Sequence, residues 1–347
     1  MSETMRAAVY RGPGRIGVED LPMPEPGQGE VRLQVGACGI CGSDSHLLSQ
    51  GWPFFPPGSV PGHEIAGTVE ALGAGVTGLA EGDRVAVEPL HTCGSCKWCR
   101  AGRESICPEC ELYGVQRQGG FADFTVVPGR RLFAIPDDVE FPLAALAEPM
   151  AVSVHGLLRG GLVSGCRVMV LGAGTIGLLA VAAARALGAG EIVLSARHAH
   201  QAEMGRDLGA TRVLEESQAT PEALAELAPD VAPELVVETV GGTADTLLAA
   251  GAALAPGGTV SVLGLFTDTV TLDPMPLLFK EGTLAWSNCY ARPRDSADFD
   301  VAIRIIDENR EGLRKLLTHE MPLEEIAAAF ELAGDKTRGS LKVSVVP

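Results

Sequence analysis

The chain has 347 residues, 46 % hydrophobic and 20 % charged, with 43 glycines; this is ordinary for a globular protein and long enough for two domains that each bury a core. A formal net charge of −17 excludes the positive footprint that nucleic-acid binding needs. Nine cysteines, an odd number clustered at metal-like spacing, point to a reducing compartment, and Met1-Ser-Glu-Thr-Met-Arg6 lacks the apolar core of a signal peptide, so the expectation is a cytoplasmic protein with neither membrane nor nucleic acid as partner.

Up to about residue 150, short apolar runs (Val31–Val35, Ile65–Val69, Arg84–Val87, Phe124–Val127) alternate with turn residues at Pro24-Glu-Pro26-Gly27, Pro56-Pro57-Gly58, Gly73-Ala-Gly75 and Glu81-Gly82-Asp83. Short strands at this spacing predict a barrel-like all-β domain. Two metal-like motifs fall on its loops. In the first, Cys41-Gly-Ser-Asp-Ser-His46 is followed at a distance by Gly62-His63-Glu64. Cys41, His63 and a carboxylate supply sulfur, nitrogen and oxygen ligands, and three protein ligands leave a face open for water or substrate. A lone Cys and His are more often a buried thiol and a hydrogen-bonded imidazole. Trp52, Phe54 and Phe55, which follow, are candidates for an apolar pocket or for core packing. The second motif is Cys93, Cys96, Cys99 and Cys107 at spacing Cys-x2-Cys-x2-Cys-x7-Cys. Four thiolates so close can close a tetrahedron around Zn²⁺ and staple a loop without doing chemistry. A chance cluster or disulfides are the plain alternative. Cys110 is an alternative fourth ligand to Cys107. Beside such a loop, the Cys41/His63 signal gains weight.

From about Arg167 the pattern changes. The run Val168 to Ala184 is uncharged and about as long as a short membrane helix. Gly172, Gly174 and Gly177 interrupt it, and Arg167 and Arg185 bracket it. It reads as a buried strand, Val168–Leu171, turning into a helix from Thr175 to Leu187 that Gly188 stops. Further strands are expected at Ile192–Ser195, Leu235–Glu238 and Thr259–Leu263, and helices at Gln201–Leu208 and Thr243–Leu254. Alternating strand and helix predicts a doubly wound parallel α/β sheet. Helical segments return at Phe299–Asn309 and Leu323–Leu332, and the chain ends in a strand, Ser340–Val346.

Gly172-Ala-Gly174-Thr-Ile-Gly177 sits between the strand and the helix. The first glycine makes the tight turn, the second admits a pyrophosphate to the backbone, and the third lets the helix pack on the sheet. Phosphates would face the helix start at Thr175 and Ile176. An NAD site carries an acid about 20 residues further on. Here that position is Ala196, between Ser195 and the pair Arg197 and His198. A 2′-phosphate is not repelled there, and Arg197 offers it a fork of donors. NADP(H) is therefore favoured over NAD(H). A solvated surface arginine is the plain alternative.

Together these motifs resemble the zinc-dependent medium-chain dehydrogenase/reductase family, the alcohol and polyol dehydrogenases, over nearly the whole chain down to Pro322-Leu-Glu-Glu-Ile326. The resemblance implies a GroES-like β-rich catalytic domain of residues 1–150 plus 295–347, with a structural-zinc lobe at about 90–112. It implies a Rossmann domain at 151–294, with the active site in the cleft between the two. Cys41 and His63 are then ligands of a catalytic zinc, one of two zincs per chain. Glu64 binds or backs that metal. Glu148, in Ala147-Glu148-Pro149, takes the place of a cysteine ligand of simple alcohol dehydrogenases, which resembles the polyol and sugar subgroup. Which carboxylate touches the metal stays open; Glu148 has a helix-start role as its plain alternative.

In the implied mechanism zinc is a Lewis acid toward the substrate oxygen. Ser43 takes the alcohol proton, the nicotinamide ribose passes it on, and His46 is the exit to solvent. A helix cap near Asp44 is the plain alternative for Ser43, and a surface imidazole for His46. Cys289-Tyr290 stands where polyol dehydrogenases often carry an arginine before a tyrosine, which argues against a polyhydroxylated substrate. The expectation is a zinc-dependent oxidoreductase acting on a small alcohol or carbonyl, a secondary alcohol, polyol or sugar-like compound. The family forms homodimers and homotetramers. Two other classes are a lyase or epimerase that retains its coenzyme, and a catalytically silent zinc- and nucleotide-binding protein.

Overall fold

The computed structural model describes residues 3–51, 55–227, 231–293 and 296–347. The chain forms two compact units, Met1–Glu148 with Arg292–Pro347, and Pro149–Ala291. Trp52 and Phe54 lie outside the described residues. Phe55 is buried, its ring 5.4 Å from that of Tyr10, so it packs rather than lining an open pocket.

The first unit is built on a seven-stranded sheet. Six strands run in the order Leu317–Pro322, Lys342–Val346, Glu30–Gly39, Glu64–Leu72, Arg84–Val87 and Leu132–Ala134, and Phe124–Pro128 also pairs with Glu30–Gly39. All four apolar runs read from the sequence are strands of this sheet. In Glu30–Gly39 the side chains of Val31, Leu33 and Val35 are buried while Arg32 and Gln34 are not, the period of two that puts alternate residues on one face. That face packs Ile65, Val85 and Phe121 together with Ile326, Phe330 and Val343 from the end of the chain. The expected helix from Leu323 is a single 3₁₀ turn followed by the α-helix Ile326–Gly334. The hairpin of Thr4–Tyr10 with Ile16–Pro22 has no sequence signal, because no residue of its second strand is fully buried.

The second unit holds six parallel strands in the order Arg212–Glu215, Glu191–Ala196, Arg167–Leu171, Leu235–Glu238, Thr259–Val262 and Thr283–Trp286. The winding reverses between Arg167–Leu171 and Leu235–Glu238, where a doubly wound sheet opens a crevice beyond the C-terminal strand ends. The helix Thr175–Ala186 is buried from Gly177 through Ala184. A helix apolar all round belongs inside a protein core, which accounts for the long uncharged run. The helix expected at Thr243–Leu254 begins only at Thr246, with Asp245 as its N-cap, after a turn in which Gly241 and Gly242 stand at φ +62° and +63°. The helix start weighed for Glu148 is present as the helix Ala147–Arg159, and Pro149 fits there because proline in a first turn removes no helical hydrogen bond.

Candidate functional site

Two groups of metal-capable side chains occur among the described residues. The first is the cysteine lobe. A helical turn at Lys97–Arg100, capped by Cys96, gathers the sulfurs of Cys93, Cys96, Cys99 and Cys107 within 4.8 Å of one another. Separations are 3.9 Å for Cys93–Cys99, 3.5 Å for Cys96–Cys99 and 3.6 Å for Cys107–Cys93. Four sulfurs around Zn²⁺ at about 2.3 Å would stand about 3.8 Å apart, so the cluster fits that ion without rearrangement. Backbone N–H groups of Cys96, Cys99 and Glu109 each donate to a cluster sulfur at 3.4 Å, which stabilises thiolates. The Cys110 sulfur is outside the group, and burial pushes its thiol up to about 11.

The lobe is tied to the sheet by Arg131, which has no exposed surface. Its guanidinium meets the carboxylates of Glu88 and Glu104 and donates to Thr92 Oγ1 at 2.8 Å. Arg292 Nε donates to Glu88 at 3.2 Å. A buried guanidinium of this kind is tolerable only when its charge is matched by carboxylates held in place.

The second group is Cys41, His63 and Glu64, one donor atom from each within 4.8 Å of the others. Cys41 is the N-cap of the helix Gly42–Gln50, which sets its sulfur at the positive end of the helix dipole. Its N–H donates to Asp44 Oδ2 at 2.9 Å. The other oxygen of that buried carboxylate, Oδ1, is 3.3 Å from His63 Nδ1, which leaves Nε2 as the ligand atom. A carboxylate behind a ligating histidine fixes its tautomer and orientation. Burial acts to push the His63 imidazole down, but Asp44 and Cys41 prevail and hold it well above the usual histidine range. The pocket therefore attracts positive charge, and its sulfur, nitrogen and oxygen donors suit Zn²⁺ with a position left open.

Glu64 opens its strand opposite Gly39. A Cβ on Gly39 would collide with the Glu64 carboxylate, so the glycine makes the space that lets Glu64 turn inward. There it forms an ion pair with Lys342, and Lys342 Nζ also donates to Ile40 O at 3.0 Å. Burial works against the Lys342 charge, but Glu64 and Cys41 outweigh it and raise its pKa. Glu148, buried in the first turn of Ala147–Arg159, is not among the three clustered donors, although its charge also acts on Lys342. Ser43 is half-buried and His46 exposed, both on the helix that Cys41 caps. Ser43 is thus not the cap. The sequence reading missed Asp44 as a partner of His63, and Lys342 altogether. A lone lysine within the apolar strand Lys342–Val346 was the available signal.

In the second unit the glycine-rich turn leaves the strand Arg167–Leu171. Gly172 has φ +99°, and a Cβ on Gly177 would collide with Gly172 O, whereas one on Gly174 would meet nothing within 4 Å. Gly174 is the N-cap of the 12-residue helix that contains Thr175 and Ile176. It brings no side chain to the helix start, which leaves the dipole facing open space. Ser195 Oγ accepts the Gly172 N–H at 3.0 Å, and Thr239 Oγ1 donates to Leu171 O at 2.8 Å, so the turn is held from both flanking strands. Arg197 lies just past its strand, with Nε 3.0 Å from both oxygens of Glu216. His198 caps the next helix, Ala199–Leu208, and its ring stacks on His200 at 5.5 Å. Glu216 had no motif to announce it.

Residues 27–137 match the alcohol dehydrogenase GroES-like domain family, and residues 175–308 match the zinc-binding dehydrogenase family. Sorbitol dehydrogenase of Bacillus subtilis is 32 % identical over 360 residues, covering 99 % of this chain and 98 % of the relative. A putative zinc-binding dehydrogenase from Sinorhizobium meliloti, solved bound to NADP, has a TM-score of 0.88 at 32 % identity and full coverage of both chains. An alcohol dehydrogenase from Escherichia coli, solved with NADH, has a TM-score of 0.89 at 26 % identity, again covering both chains in full.

Proposed function

Because the chain belongs to the zinc-dependent medium-chain dehydrogenase/reductase family and is a zinc-dependent nicotinamide dehydrogenase, we propose that it interconverts a small secondary alcohol or polyol with its carbonyl compound, NADP(H) being favoured over NAD(H). The observation that carries the proposal is the meeting of Cys41, His63 and Glu64 donor atoms within 4.8 Å, a three-ligand set apart from the closed cysteine cluster. Sorbitol dehydrogenase among the relatives supports a hydroxyl-bearing substrate. These relatives carry dehydrogenase names, and nothing favours a non-redox or silent protein.

Cys41, His63 and a carboxylate, Glu64 or Glu148, would hold the catalytic zinc, and Cys93, Cys96, Cys99 and Cys107 the structural one. Bound in the open site, zinc would supply a Lewis acid to the substrate oxygen, and a bound nicotinamide would supply or accept the hydride. Asp44 holds His63 by Nδ1 so that Nε2 stays directed at the ion. Lys342 balances the Glu64 charge, so the pocket carries less surplus negative charge than its acids alone would give. On oxidation Ser43 Oγ would accept the substrate hydroxyl proton while releasing its own to the nicotinamide ribose, and exposed His46 would deliver it to water. One alcohol then yields one carbonyl compound, one reduced nicotinamide and one proton.

Gly172, Gly174, Thr175, Ile176 and Gly177 would cradle the pyrophosphate, and Arg197 with His198 would face the adenosine ribose beyond Ser195. A cytoplasmic homodimer or homotetramer completes the reading. A screen of alcohols and carbonyl compounds with both coenzymes, followed by absorbance of reduced nicotinamide, tests it. Turnover with a secondary alcohol or polyol and NADP⁺ is expected, and loss of that turnover in Ser43→Ala at unchanged zinc content. Clear preference for NAD(H) would show the Arg197 reading to be wrong.

A further inference from the structure

We propose that Glu216 is a specificity-determining residue for the coenzyme, an acid that competes with the ribose 2′-phosphate for the Arg197 guanidinium and so limits the selectivity for NADP(H). The inference rests on the coenzyme reading above. The strands Glu191–Ala196 and Arg212–Glu215 are parallel neighbours, with Ala196 directly opposite Glu215. Arg197 and Glu216 are each the next residue, so both leave the sheet side by side at its C-terminal edge. That edge is where a doubly wound sheet binds its ligand, and Ser195 ties it to the glycine-rich turn through the Gly172 N–H.

The pairing is bidentate. Nε reaches both Glu216 oxygens at 3.0 Å, and Nη2 donates to Oε1, so the Nε/Nη2 edge of the guanidinium is already taken. The side chains of Arg197 and Glu216 are 68 % and 62 % exposed, which leaves the pair open to a ligand and cheap to break. An arginine recognises a phosphate through the same fork it uses for a carboxylate. A 2′-phosphate must therefore displace Glu216 or bind beside its negative charge. A ribose hydroxyl does neither, so an NAD-type ribose escapes the competition. The close Arg197 charge keeps the Glu216 carboxyl below the usual carboxylate range, so the acid stays ionised wherever the enzyme is folded at ordinary pH.

The experiment is calorimetric titration of the zinc-loaded protein, wild type, Glu216→Gln and Arg197→Ala, with 2′,5′-ADP and with 5′-AMP. These two probes differ by the 2′-phosphate alone and carry no nicotinamide. Glu216→Gln is expected to bind 2′,5′-ADP about tenfold more tightly, the scale of one removed like-charge contact near water. Its 5′-AMP affinity should stay within about twofold, with the melting temperature unchanged. Unchanged 2′,5′-ADP affinity, or a marked loss for 5′-AMP that would make Glu216 a ribose ligand, overturns the proposal. If wild type shows no preference for 2′,5′-ADP while Glu216→Gln gains one, the role of Glu216 stands and only the native NADP(H) preference falls. If no variant distinguishes the probes and Arg197→Ala changes neither, both readings fall.

Discussion

Lys342 on the chain's last strand forms a buried ion pair with Glu64, the residue after His63. Two segments nearly 280 residues apart in sequence thus meet at the candidate metal site. A buried charge left without its partner is costly, whereas losing both partners together costs far less. Lys342→Met should destabilise the protein by about 3–5 kcal/mol, and Lys342→Met combined with Glu64→Gln by markedly less. Urea unfolding of the metal-stripped proteins measures both. Equal losses in the single and double variants would mean that the two residues are not coupled.

Asp44 should matter through His63. Asp44→Asn keeps the shape but removes the charge behind Nδ1, and such second-sphere changes weaken metal affinity about 10- to 100-fold. Competition with a chelator should strip one zinc per chain from this variant much faster than from wild type, while the second zinc is held as before. Two zincs released at wild-type rates would remove Asp44 from that role.

Within the metal-stripped cysteine lobe the thiols differ. Backbone N–H groups of Ser95 and Cys96 draw the Cys93 thiol down to about 6, while burial and neighbouring cysteines push Cys99 up to about 12. The thiolate is the nucleophile. At pH 7 iodoacetamide should therefore modify Cys93 first and Cys99 slowly, as read by peptide mass spectrometry. Lowering the pH through 6 protonates Cys93 and should slow its labelling. Zinc should protect both.

The glycine-rich turn offers a contrast between packing and binding. Gly177→Ala forces a Cβ into Gly172 O and should lower the melting temperature as well as abolish coenzyme binding. Gly174→Ala places its methyl in open space and should leave the melting temperature unchanged while weakening coenzyme binding at least tenfold, since that space is the proposed phosphate approach. Calorimetry of unfolding and coenzyme titration separate the two. A stability loss in Gly174→Ala as large as that in Gly177→Ala would contradict this division.

The amino-acid sequence by itself determined the features whose physics is local. Cysteines at intervals of two and seven residues bend around one point because a single turn and its loop carry them. Gly172 and Gly177 mark a strand-to-helix turn because the first stands at φ +99° and the second lies against Gly172 O, approaches that only glycine tolerates. Alternating apolar runs declare strands, and the family resemblance drew on the same short motifs. Tertiary structure alone decided what depends on distant segments meeting. Lys342 reaches Glu64 only because the last strand pairs beside Glu30–Gly39, and Arg131 finds Glu88 and Glu104 only across the fold of the first unit. Glu216 faces Arg197 because two parallel strands end in register. Charged partners carry no periodicity of their own, so strand order and register, rather than composition, decide which acid meets which base.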